Sequence, residues 1–210
     1  MRAALLWFLL ATPALAQAPI SVLGRETLVI EPPADSTHEL QLTFAWLEGS
    51  GWSAARVAPL AAEAARVLAQ CRVALTQVGL VRVGAPERFR DYETAAAREL
   101  ARELKLAKPT VYFIADTRQR PAFDAEAIGR GNSRGRPELA DTVWLTRATR
   151  DPGIALAHEL AHVLMNSGRH STEERNLMRD ETAPGNERLS GEQCARLRES
   201  ATENGLIRPR

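Results

Sequence analysis

The chain has 210 residues, with 27 Lys and Arg against 26 Asp and Glu and a formal net charge of +1. So balanced a charge gives no long-range attraction to nucleic acid or to an anionic membrane, and the length suits one domain with a proper core rather than two. Nearly all the basic residues are arginine, Lys105 and Lys108 being the only lysines, which together with abundant alanine reads as genomic composition bias, not an arginine-built binding surface.

The N-terminus reads Met1-Arg2, then an apolar run from Ala3 to Ala11, then Pro13-Ala14-Leu15-Ala16-Gln17-Ala18-Pro19. One positive charge, a short hydrophobic stretch and Ala-x-Ala form a secretory signal peptide. Cleavage is expected after Ala16, with Ala18 the second choice, leaving residues 17–210 as a single domain. The apolar run is too short to span a bilayer, and no cysteine closely follows it. The mature protein is therefore expected to be periplasmic or secreted, free of a membrane span, and monomeric.

A polar entry from Glu31 to Glu39 leads to Leu40-Gln41-Leu42-Thr43-Phe44-Ala45-Trp46, which alternates as a strand should. Trp52 or Ser53 opens an alanine-rich helix running to about Gln70, and Pro59 suggests that regular helix begins only there. Val73 to Val83 reads as a second strand, and Tyr92 to Leu106 as a second helix ended by Lys108-Pro109. Thr110 to Ala115 is continuously apolar, the pattern of a strand buried on both faces. Asp116 to Glu138 is rich in Arg, Gly, Pro and Asn, so a long loop is expected, with a short edge strand at Ala125-Glu126-Ala127-Ile128. The run Arg130 to Arg136 reads as a solvated loop. Thr142 to Thr146 is the last strand, and Leu189 to about Asn204 a final helix capped by Ser190. Cys71 and Cys194 are the only cysteines, and an exported chain meets oxidising conditions, so one disulfide is expected between them.

Between the last strand and the final helix lies the most informative run. Asp151-Pro152 supplies an N-cap and a first-turn proline for an apolar helix carrying His158-Glu159-Leu160-Ala161-His162. At about 3.6 residues per turn, positions i and i+4 stack on one face. Two imidazoles so placed can share a metal ion, and Glu159 can reach a water on it. Burying such groups in an apolar helix is costly unless something pairs with them, so a zinc site is the better explanation. Asn166 and Gly168 end the helix, Gly168 being suited to a left-handed turn. His170 follows as third ligand, with the carboxylates Glu173 and Glu174 as competitors. Met178 stands in an otherwise charged stretch, suited to pack beneath a metal site.

These residues resemble the metzincin clan of zinc endopeptidases, especially its matrixin-like and short bacterial members. In that clan HExxH is followed by xxGxxH and then by a tight turn carrying methionine. His158 and His162 match the first two ligands, Glu159 the catalytic base and Met178 the methionine turn. The clan pattern would put glycine at Met165 and the third ligand at Gly168, so His170 comes two residues late. The resemblance covers Asp151 to Met178. It implies an α/β (α+β) domain: a mixed twisted sheet with two long helices packed on it, the HExxH helix and a C-terminal helix. It also implies a polypeptide substrate lying along a sheet edge, here Ala125 to Gly131, and hydrolysis with Glu159 as general base and Zn2+ as cofactor. No tyrosine follows Met178, so the extra hydroxyl that some metzincins carry is missing here. Two other functions share the motif: a zinc-binding module without turnover, and a zinc amidase acting on cell-wall peptides.

Overall fold

The apolar run at Leu40–Trp46 lies at the heart of a seven-stranded mixed sheet. The structure, a computed structural model, describes residues 19–210; the expected signal peptide, residues 1–16, lies outside them. The strands are β1 (Ser21–Val29), β2 (His38–Leu47), β3 (Val73–Gly84), β5 (Thr110–Phe113), β7 (Ala125–Ile128), β8 (Thr142–Leu145) and β9 (Ile207–Pro209). Their order is β1-β3-β2-β5-β8-β7, with β9 beside the start of β2. Strands β3, β2, β5 and β8 run parallel, and the two outer strands, β1 and β7, are antiparallel to their neighbours. Two short strands, β4 (Asp91–Tyr92) and β6 (Asp116–Thr117), pair outside this sheet.

Strands β2, β5 and β8 are apolar on both faces because helices cover both. On one face Leu42, Phe44, Val111, Phe113, Val143 and Leu145 pack with α1 (Ala54–Ala69), α3 (Pro152–Met165) and α4 (Gly191–Glu203). On the other, Ala45, Leu47, Tyr112, Ile114 and Trp144 pack with α2 (Thr94–Leu104). Among the described residues no helix is long and apolar enough to cross a membrane.

Several boundaries depart from the sequence-based expectations. Strand β1 is unexpected, since its side chains are mostly exposed and show no apolar alternation; its backbone ladder with β3 holds it. Helix α1 begins at Ala54 and contains Pro59. The bond that proline cannot donate is outweighed by burial of Val57, Leu60, Ala61, Ala64, Val67 and Leu68. Helix α2 starts two residues late, because Tyr92 joins β4 while the Glu93 carboxylate caps the helix through the Ala95 and Ala96 amides. Ser190 caps α4 as expected, in a capping box with Gln193.

Helix α3 differs at both ends. Asp151 is left-handed (φ 47°) and makes no side-chain cap bond. Instead the Glu63 side chain of α1 lies across Gly153. At the other end Asn166, not Gly168, takes the left-handed turn (φ 46°). Asparagine tolerates that conformation, and its amide oxygen accepts from Gly131 N–H at 3.1 Å. The disulfide joins Cys71, just past α1, to Cys194 in the first turn of α4.

Two outcomes test this packing. A Cβ on Gly153 would overlap the Glu63 carboxylate and lie 2.9 Å from the Glu63 Cβ, so turning the carboxylate aside does not clear it. Gly153→Ala should cost about 1–3 kcal/mol, seen as a fall of several degrees in Tm and partly relieved by Glu63→Ala; an unchanged Tm would contradict it. The disulfide closes a separation of 123 residues, worth roughly 5 kcal/mol in the chain-entropy model. Replacing both cysteines by serine should lower the denaturant midpoint markedly, and an unaltered midpoint would refute that account.

Candidate metal centre

Helix α3 is buried almost all round, from Gly153 to Ala161 and from Val163 to Met165. His158 and Glu159 are among the few buried titratable groups of the described residues, while His162 is half-buried. His170 sits on the irregular segment after Asn166 and is exposed. The chain folds back there because Ser171 N–H donates to Met178 O at 2.6 Å, laying the two segments side by side.

The three histidines meet through their Nε2 atoms. His162 Nε2 lies 2.9 Å from His158 Nε2 and 3.2 Å from His170 Nε2. Each ring is held by its other nitrogen: His158 Nδ1 is 2.7 Å from Leu177 O, His162 Nδ1 is 2.6 Å from Ser167 O, and His170 Nδ1 is 3.0 Å from Asp180 Oδ1. A carbonyl or carboxylate oxygen can only accept, so each Nδ1 carries the hydrogen. In the neutral ring Nε2 is then a bare lone pair. Burial keeps the two helical rings neutral: it holds His158 below its usual range and, with the neighbouring His158, takes His162 down to about 4.

Three converging lone pairs fit a cation. With metal–nitrogen bonds of roughly 2.0–2.1 Å, the vertices of a tetrahedral zinc site lie about 3.3 Å apart, close to the spacings here. These three side chains form the metal-competent cluster found among the described residues. Glu173 is directed elsewhere, its Oε2 accepting from Asn176 Nδ2 at 3.2 Å, and Glu174 is exposed.

Glu159 faces the same cleft. Burial raises its carboxyl to about 8, the nearby Glu126 adds to the rise, and the Ala127 amide opposes it. The cleft is about 960 Å³, bounded by β7, by His158, Glu159 and His162 of α3, and by Asp180 to Ala183 after the methionine turn. Thr146 N–H donates to Asp124 O, and by antiparallel alternation Glu126 and Ile128 bond to β8 while the N–H and C=O of Ala125 and Ala127 face outward. Among the described residues no strand pairs with β7 on that side.

Met178 is buried in the core cluster shared with α3. Its turn is pinned by Asn176, whose Oδ1 accepts from Met178 N–H at 2.9 Å. The Asn176 and Gln193 amides also bond to each other reciprocally, at 3.0 and 3.1 Å. Asn166, Asn176, Asp180 and Gln193 carry no sequence signal for these roles, because each acts across a turn or between segments far apart in the chain. Arg130 is not simply solvated: it bonds to Asp141 at 2.9 Å and to both oxygens of Asn204, securing the loop beyond β7.

The fold is similar to that in the crystal structure of metalloproteinase-II from Bacteroides fragilis, with a TM-score of 0.53 and 18% identity. The match covers 83% of this chain and 57% of that one, so this chain spans little more than half of its length. No family model matches the sequence, and no curated protein matches it. The likeness concerns the fold; among the described residues the cluster of His158 and His162 on α3 with His170 beyond it is suited to a metal.

Because His170 joins the cluster and Glu173 does not, His170→Ala should release metal at a far lower chelator concentration than Glu173→Ala. The reverse ranking would move the third ligand to the carboxylate.

Proposed function

We propose that the chain is an exported zinc-dependent endopeptidase, with His158, His162 and His170 as ligands and Glu159 as general base. The observation carrying this reading is the convergence of three Nε2 lone pairs beside a buried carboxylate, on a cleft walled by a free strand edge. The likeness of fold to a Bacteroides fragilis metalloproteinase supports it. So does the disulfide, which suits an oxidising compartment. Export through the segment 1–16 is part of the proposal.

Bound zinc would supply a water of lowered pKa and a Lewis acid for the substrate carbonyl. The protein's own groups do the rest. An extended polypeptide adds to β7 through the outward N–H and C=O of Ala125 and the outward C=O of Ala127, which fix its register over the three histidines, while the Ala127 N–H stays on Glu159. Glu159 takes a proton on a carboxylate oxygen as water attacks the scissile carbonyl carbon, then delivers it to the departing amine nitrogen. Because Glu159 is buried against β7, that proton is held away from bulk solvent. The imidazoles keep their Nδ1 hydrogens on Leu177 O, Ser167 O and Asp180 throughout.

Glu159→Ala should retain zinc and lose about 10²–10⁴-fold in hydrolysis, measured on a diverse peptide library beside the wild type. Turnover within tenfold of wild type would remove Glu159 as the base. Zinc uptake with no peptide cleaved by either protein would favour the binding module instead.

A further inference from the structure

We infer that Asp180 is a positioning residue for the metal centre, setting the orientation and donor strength of His170. The inference rests on the ligand set proposed above. His158 and His162 are oriented by the helix that carries them and by backbone carbonyls at 2.7 and 2.6 Å. His170 has no such frame, because residues 167–172 form neither helix nor strand. Its Nδ1 partner is a carboxylate, Asp180 Oδ1, at 3.0 Å. A carboxylate behind a metal-bound imidazole fixes the ring and raises the basicity of the ligating nitrogen.

Asp180 is delivered by the same turn that serves His158. Leu177 supplies the carbonyl for His158, and three residues later Asp180 supplies the carboxylate for His170. Met178 N–H on Asn176 Oδ1 shapes that turn, and Ser171 N–H on Met178 O brings the His170 segment alongside it. Arg179 Nη1 on Thr172 O, at 3.3 Å, adds a further tie between the two segments. One short segment therefore sets two of the three rings, and the least anchored ring receives the charged partner.

The alternative role for this contact is an ordinary surface ion pair. Asp180 is 87% exposed and His170 39%, and exposed pairs contribute little to folding. That exposure separates the two roles: a positioning carboxylate changes metal affinity without changing the stability of the metal-free fold.

The test is zinc affinity by chelator competition for wild type, Asp180→Ala, Asp180→Asn, His170→Ala and the double variant His170→Ala/Asp180→Ala, with metal-free Tm recorded for each. Asp180→Ala should weaken zinc about 10–100-fold at an unchanged metal-free Tm. Asp180→Asn, which keeps an acceptor oxygen, should recover part of the loss. In the His170→Ala background, Asp180→Ala should cost nothing further. An affinity within twofold of wild type, an equal loss in both backgrounds, or a matching fall in metal-free Tm would each overturn the inference. A wild type that takes up no zinc would overturn both this inference and the proposed ligand set. The expected zinc affinities with no hydrolysis of any peptide would support the role of Asp180 and defeat the peptidase reading alone.

Discussion

Three imidazole lone pairs cannot turn to one point without mutual repulsion, unless a cation is there to accept them. Each ring here is turned that way by an acceptor on its opposite nitrogen: Leu177 O, Ser167 O and Asp180. Those acceptors come from three places: the turn that ends α3, the methionine turn, and the residue two beyond Met178. The cluster is therefore a property of the chain from Pro152 to Asp180 folded as one unit, and the supporting contacts hold that unit in place.

The support reaches far along the chain. The Asn176 amide grips Gln193 at the start of α4, and Cys194, the next residue, is bonded to Cys71 beyond α1. The first and last helices are thus joined beside the segment that orients the histidines. The cleft wall opposite is treated alike: Asn166, at the end of the histidine helix, holds Gly131 beyond β7, and Arg130 fastens the same loop to Asp141 and Asn204. Sheet edge and metal-competent helix are therefore linked, which keeps the separation between β7 and the histidines constant.

Burial has opposite effects on the two kinds of titratable group in this helix. It favours the neutral forms of His158 and His162, as ligation requires, and raises the Glu159 carboxyl to about 8. The same apolar surroundings thus ready two side chains to donate lone pairs and bring a third into the range for exchanging protons near neutral pH. Around them the sheet contributes rigidity, with Phe44, Phe113 and Leu145 in the same buried core cluster as the apolar residues of α3.

The local patterns carried a good part of this protein. Alternation and apolar runs mark β2, β3, β5 and β8 in the sequence, and the i, i+4 spacing of His158 and His162 places two rings on one helical face by helix geometry alone. The single pair of cysteines leaves one intramolecular disulfide to form. Other features depend on partners distant in the chain. Strand β1 has no apolar pattern because its order comes from a backbone ladder with β3. Asn166 replaced Gly168 at the helix end because its side chain also had Gly131 to hold. The partners of the three Nδ1 atoms, the outward amides of β7 and the approach of Asp180 to His170 are decided only by tertiary structure. Sequence spacing fixes directions within a regular element, whereas an irregular segment such as 167–172 takes its directions from whatever packs against it.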